Sequence, residues 1–169
     1  MSQSGYDVLC PAFVDFEEFA VIHDASLKRT AGADITIEEL TEADLPNYPL
    51  EGTGETIPLF SQVLELYAGK APLIVELKPV DGNHAQLCRK ACEMLDTYGG
   101  LYCLESFDPR CVLWLKKNRP DIIRGQLSEN YLKKPQSKLP LILKFILTFH
   151  LENFLCSPDF VAYDFYTRN

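Results

Sequence analysis

The chain has 169 residues, of which 47% are hydrophobic and 24% charged, with a formal net charge of −8. That length suffices for one domain with a sizeable core, and the composition is that of a globular chain rather than a disordered or fibrous one. The negative balance argues against a nucleic-acid backbone as partner, and against an anionic membrane surface as the main one. The longest apolar run, around residues 139–149, is broken by Lys144 and too short to cross a bilayer, so no membrane span is expected.

Taken in order, residues 7–14 and 18–22 read as two short strands, the second ending in His23-Asp24. Residues 25–32 read as a loop. Thr36 and Glu39 have capping-box spacing and open a short helix to about Leu45, and Pro46, Pro49, Gly52 and Gly54 make an irregular connection. Pro58 starts a helix reaching Gly69, with Leu59, Val63, Leu66 and Tyr67 at helical spacing. An amphipathic helix follows at 83–98, stopped by Gly99-Gly100, then a strand at 101–105 and a helix capped by Asp108-Pro109 and running to Lys117. Residues 121–127 form a strand, 140–155 a long apolar helix and 159–164 a last strand. Strand and helix alternate from Leu73 onward in units of roughly 25 to 35 residues, the length of a βα repeat. The expected fold is α/β, a parallel sheet or barrel with right-handed crossovers. A complete (β/α)8 barrel takes about 250 residues, so this one is incomplete.

The stretch Ala71-Pro72-Leu73-Ile74-Val75-Glu76-Leu77-Lys78-Pro79 is the centre of the pattern. Leu73 to Val75 read as a strand buried on both faces. Glu76 and Lys78, two residues apart, share a strand face at its carboxyl end, where parallel α/β sheets place chemistry. An ion pair plugging the strand end is the competing reading. Of the six cysteines (Cys10, Cys88, Cys92, Cys103, Cys111 and Cys156), no two form a Cys-x-x-Cys pair. Cys88 and Cys92 lack further ligands at zinc-site spacing. Reduced, mostly buried thiols are expected, with no signal peptide and a cytoplasmic location. The local basic groups Lys116, Lys117, Arg119 and Lys133, Lys134, Lys138 read as a solvated helix end and a loop.

Six segments in order resemble the glycerophosphodiester phosphodiesterases. They are Val21-Ile22-His23-Asp24 with Leu27, Arg29 and Thr30; Ile57-Pro58-Leu59-Phe60 with Val63-Leu64; Val75-Glu76-Leu77-Lys78-Pro79; Glu105-Ser106-Phe107-Asp108-Pro109; Arg124-Gly125-Gln126-Leu127; and Asp159-Phe160-Val161-Ala162-Tyr163-Asp164. The resemblance covers nearly everything from Ala20 onward. It implies a TIM-barrel-like (β/α)8 fold, one domain over residues 1–169, with a small insertion at about 23–54 after the family's second strand. It also implies metal-dependent hydrolysis of glycerophosphodiesters to glycerol 3-phosphate and an alcohol. His23 matches the family's second catalytic histidine, Glu76 a carboxylate for Mg²⁺ or Ca²⁺, and Lys78 the lysine that assists phosphate binding. These residue types suit such chemistry, because imidazole moves protons near neutral pH and a hard cation on oxygen ligands stabilises phosphoryl charge.

The sequence also departs from the family. No segment matches the His-Arg-Gly and Glu-Asn-Thr of its first strand, or the Trp-Thr of its last; the only tryptophan, Trp114, falls on a helix. The Glu-x-Asp pair of the second strand, counted back from His23 without a gap, falls on Val8 and Cys10, which cannot ligate a hard cation. With a slightly longer hairpin Asp7 takes the aspartate place, and Gly5 stands where the glutamate should be. Asp7 is accordingly the second expected metal carboxylate. Two alternatives accompany the hydrolase reading: a catalytically silent relative, or a fragment, that binds a phosphate-bearing ligand or a partner protein. Open barrel edges also make a homo-oligomer an expectation.

Overall fold

In this computed structural model, residues 7–9, 11–13, 18–133 and 139–164 are described, the first two segments by backbone alone. The chain begins with strands β1 (Asp7–Leu9), β2 (Pro11–Phe13) and β3 (Phe19–Val21), followed by helix α1 (Lys28–Ala31) and two 3₁₀ turns, Ile37–Glu39 and Glu42–Asn47. Helix α2 (Phe60–Tyr67), strand β4 (Leu73–Glu76), helix α3 (His84–Leu95), strand β5 (Tyr102–Ser106), helix α4 (Pro109–Asn118) and strand β6 (Arg124–Ser128) come next. A 3₁₀ turn (Tyr131–Lys133), helices α5 (Leu141–Thr148) and α6 (Asn153–Cys156) and strand β7 (Phe160–Tyr163) complete the order.

Five strands pair in the order β1-β4-β5-β6-β7, every pair parallel. This is the expected α/β architecture, a TIM-barrel-like sheet short of the eight strands of a closed barrel among the described residues. Alternation along β4 explains its place. Leu73, Val75 and Leu77 are 0–1% exposed and pack with Leu87, Cys88, Ala91 and Leu95 of α3 and Cys111 and Leu115 of α4. Glu76, out of phase with them, points to the other face. Helix α4 starts where the sequence says it should: the Asp108 carboxylate accepts from the backbone N–H of Arg110 at 2.9 Å, with Pro109 at the first helical position.

The strand β3 joins two apolar clusters. Phe19 packs on Phe60 of α2 with ring centroids 6.2 Å apart, within the main core. Ala20 and Ile22 belong instead to a smaller cluster with Leu27, Ile37, Leu40, Leu45 and Ile57. That cluster gives residues 20–57 a core of their own.

Four local expectations change. The single strand expected at 7–14 is two strands with different partners: β1 joins the parallel sheet, while β2 forms an antiparallel pair with β3. The helix expected from Thr36 to Leu45 is two 3₁₀ turns, each with its own capping box, Thr36 with Glu39 and Thr41 with Asp44. A cap every five residues restarts the chain before an α-helix can propagate. The segment read as a loop at 25–32 contains α1, closed by Gly32 at φ 67°. The long helix at 140–155 is interrupted, with His150 at φ 57° between α5 and α6. Among the described residues, no helix is long and apolar enough to cross a membrane.

Candidate active site

The carboxyl ends of β3 to β6 surround a cleft of about 490 Å³, lined by His23, Glu76, Lys78, Ser106, Asp108, Glu129 and Tyr131 together with Leu77, Pro79 and Phe107. Each polar residue sits at or just beyond a strand end, the position that a parallel sheet reserves for side chains free of the packed core. His23, Glu76 and Lys78, expected from the sequence to act together, do share this cleft.

His23 follows β3 by two residues, and its side chain is 70% exposed. Its Nδ1 stands 2.6 Å from Asp24 Oδ1, and the other Asp24 oxygen accepts from Arg29 Nε at 2.6 Å. The hydrogen bond from Arg29, and after it that from His23, holds the Asp24 carboxyl down at about 2, so it stays ionised. A carboxylate can only accept, so Nδ1 carries the proton and Nε2 is the basic nitrogen. Arg29 and Asp24, both in the segment that carries the resemblance, thus orient the imidazole.

Lys78 connects β3 to β4. Its ammonium donates to the His23 carbonyl at 2.6 Å and lies 3.4 Å from Glu76 Oε2. Glu76 is 7% exposed and in register with Glu105 on β5, so the two carboxylates face the same side of the sheet on adjacent strands. Burial, with the Glu76 charge added to it, pushes the Glu105 carboxyl up to about 7. Ser106 stabilises the loop beneath the cleft: its hydroxyl donates to the Leu77 carbonyl at 2.6 Å and accepts from the Asp108 N–H at 3.1 Å. Burial alone would raise the Asp108 carboxyl, but hydrogen bonds from Arg110 outweigh it and hold it below its usual range. Glu129 follows β6 and is 8% exposed. Burial first, and then the charges of Glu129 and Glu152, push the Tyr131 phenol up.

The side chain of Asp7 lies outside what the structure describes. Its backbone pairs with Leu73, three positions before Glu76 along the sheet. At the rise of a strand that is roughly 10 Å toward the amino end. Cys10 lies outside the described residues. Among the described residues, no group of three or more His, Cys, Asp or Glu side chains could hold a metal ion. Glu76 and Glu105 are two adjacent carboxylates, the number with which Mg²⁺ is commonly held when a substrate phosphate and water complete its shell.

Glu105 and Asp108 lie in a segment that carries the family resemblance, yet no sequence signal gave them a place in the site. Glu129 lies in none of the six segments. Its signal was available: it is the first residue past β6, the position at which carboxyl-end chemistry collects.

No family model matches the chain. Lysophospholipase D GDPD1 of Rattus norvegicus is 30% identical to it over 94 residues, a match covering 48% of this chain and 29% of that protein. The protein of the same name from Homo sapiens is 29% identical over the same length. The chain thus spans less than a third of the length of the curated relatives it matches. Among solved structures, an Oleispira antarctica phosphodiesterase in complex with the product sn-glycerol-3-phosphate superposes with a TM-score of 0.78 at 18% identity, covering 99% of this chain and 66% of that one. The glycerophosphodiester phosphodiesterase of Thermotoga maritima gives 0.59 at 18% identity, over 92% of this chain and 59% of that one. The chain thus shares the fold of these phosphodiesterases, and over 94 residues its sequence is similar to lysophospholipase D GDPD1.

Proposed function

We propose that the cleft binds a glycerophosphodiester through its phosphate and that the chain hydrolyses it to glycerol 3-phosphate and an alcohol, with a divalent cation. The observation that carries this reading is the meeting of His23, Glu76 and Lys78, from two separate strand ends, on one cleft. His23, with Nδ1 held by Asp24, presents Nε2 as the group that takes or gives a proton. Lys78 supplies a point charge for the phosphate. Glu76, with Glu105 beside it, would hold the cation, which when bound supplies charge stabilisation on the phosphoryl oxygens.

The test is hydrolysis of glycerophosphocholine and glycerophosphoethanolamine by the purified chain, with Mg²⁺ or Ca²⁺ and with chelator. Turnover should disappear with chelator and fall by about 10²–10⁴ in His23→Ala, the usual worth of a proton-transfer group. Lys78→Ala should act mainly on KM. Turnover unchanged in His23→Ala overturns the assignment.

One observation favours a second reading, a silent relative that binds a phosphate-bearing ligand. Among the described residues His23 is the only histidine lining the cleft, so both proton transfers fall on one imidazole. Binding of sn-glycerol-3-phosphate, weakened by Lys78→Ala, without turnover of either diester would establish it.

A further inference from the structure

Buried polar atoms collect at the junction of α5 and α6. Among the described residues, the Thr148 hydroxyl, His150 Nδ1, both Glu152 carboxyl oxygens and Asn153 Oδ1 are buried without a hydrogen-bond partner. Buried polar groups are ordinarily paired, so a run of exceptions in neighbouring residues needs a physical account. Glu152 is the costliest of them. It is 8% exposed, and an ionised carboxylate in that place loses its water and gains no donor in return. The backbone sets His150 beside it. His150 takes φ 57°, a left-handed conformation unfavourable for a residue with a side chain, and so turns the chain between the two helices. Its ring lies edge-on to that of Tyr163 on β7, with centroids 5.6 Å apart. Its Nδ1 is 4.0 Å from Glu152 Oε1, about 1 Å longer than a hydrogen bond between them would be.

The other titratable groups around Glu152 leave its charge uncompensated. The Tyr131 phenol on the turn after β6 and the Cys156 thiol on α6 are both raised, chiefly by burial and in part by the Glu152 charge. Glu129 and Asp108 add negative charge to the same surroundings. Lys116 of α4, the cation that acts on Cys156, is engaged by the Leu155 carbonyl at 2.7 Å and the Ser157 hydroxyl at 2.9 Å. A shared proton resolves the imbalance. Holding one proton between them, His150 and Glu152 have no net charge; with none a bare carboxylate is buried, and with two an uncompensated cation. Burial acts on both in that sense. It raises the Glu152 carboxyl, against a weaker opposing pull from that residue's own backbone N–H, and it lowers the His150 imidazole.

We propose that His150 and Glu152 form a one-proton latch, which keeps α5 and α6 seated while the pair holds a single proton and releases them when that proton leaves. The latched segment adjoins the cleft. Helix α5 packs on the 3₁₀ turn that begins with the cleft residue Tyr131, and the Ser128 hydroxyl ties it to β6 through the Leu147 carbonyl at 3.0 Å. Release therefore loosens one wall of the cleft, whatever the cleft hydrolyses. In the released segment water reaches both groups, and they titrate at their ordinary values, 6.5 for His150 and 4.5 for Glu152. Between those values the released pair also holds one proton, so pH leaves the latch unchanged. Above 6.5 the released pair holds none and the latched pair one, so rising pH favours release, by up to about tenfold per unit. Below 4.5 the released pair holds two, and acid favours release as well.

Hydrogen exchange of the whole chain tests this, read by mass spectrometry from about pH 4 to 9 and corrected for intrinsic rates, with α3 in the same samples as the reference for global opening. Protection of residues 141–156 should be level up to about pH 6.5 and then fall by up to about tenfold per unit. Glu152→Gln keeps the shape but has no proton to lose, and should abolish the alkaline fall. His150→Gln leaves Glu152 to titrate alone, and should bring the onset down to about 4.5. Carbon-13 NMR of the Glu152 carboxyl in the unaltered chain gives a reading that no misfolded variant can spoil: the carboxyl should remain protonated past pH 6.5. Protection that stays level to the alkaline end overturns the proposal, as does a fall that survives in Glu152→Gln or an onset that His150→Gln does not move. So does a Glu152 carboxyl that titrates at its ordinary 4.5.

Discussion

Helix α3 buries Leu87, Cys88, Ala91, Cys92 and Leu95 against the sheet, whereas α5, in which six of eight residues are apolar, buries none. The difference lies in what each apolar side packs against. In α3 the charged residues Arg89, Lys90 and Glu93 occupy the face opposite the apolar one, so a single orientation removes the apolar side from water. In α5 the only polar residues, Lys144 and Thr148, are four apart and share one side, yet among the described residues nothing buries the apolar side that holds Leu141, Ile142 and Phe145. What positions α5 is a polar tie, from the Ser128 hydroxyl to the Leu147 carbonyl, and its packing on the turn after β6. Apolar content measures how much a helix could gain from burial; a surface to pack against decides whether that gain is collected.

Substitutions can break this contrast. Leu87→Ala empties a fully buried position and should cost about 2–5 kcal/mol in denaturant unfolding, the range for leucine truncations in packed cores. A cost under about 1 kcal/mol would mean that α3 is less tightly packed than its burial implies. Ser128→Ala removes the tie to α5 and should cost about 1 kcal/mol, with amide exchange rising in α5 before α3. Phe154→Ala, at a side chain 85% exposed, should change stability by less than about 0.5 kcal/mol.

Acid titration sharpens the comparison from the inner face of the sheet. The Glu105 carboxyl stands at about 7 in the folded chain against an ordinary 4.5. Between those values the folded chain holds a proton that the unfolded chain has released, so stability falls as pH rises from 4.5 to 7 and is level above. Glu105→Gln should flatten that decline in unfolding curves measured across this range. Glu76→Gln should reduce it only in part, because burial is the larger cause and the Glu76 charge the smaller.

Much of this was legible in the sequence because the signals were local. The βα alternation after Leu73, the Asp108-Pro109 start of α4 and the pairing of Glu76 with Lys78 depend on residues close in the chain, and the structure places them accordingly. The resemblance put His23 beside them, which no local rule could do across 55 residues. What sequence could not give is register. Whether a residue on one strand stands level with Glu76 depends on pairing, and so Glu105 on β5 came to light only with the sheet assembled. Similarly, the break at His150 is a backbone conformation that the apolar run 140–155 conceals.

The sheet order also carries a kinetic consequence. Strands β4, β5 and β6 each pair with the next strand of the chain after one crossover, whereas β1 meets β4 with all of residues 10–72 between them. Closing that longer loop costs only slightly more entropy at equilibrium, since the penalty grows with the logarithm of length. It delays formation more, because distant contacts reward the chain late. The four strands from β4 to β7 can therefore assemble as a nucleus, with β1 zipping on afterwards. In native-state hydrogen exchange the β1–β4 ladder should open at a lower free energy than the β4–β5 ladder beside it.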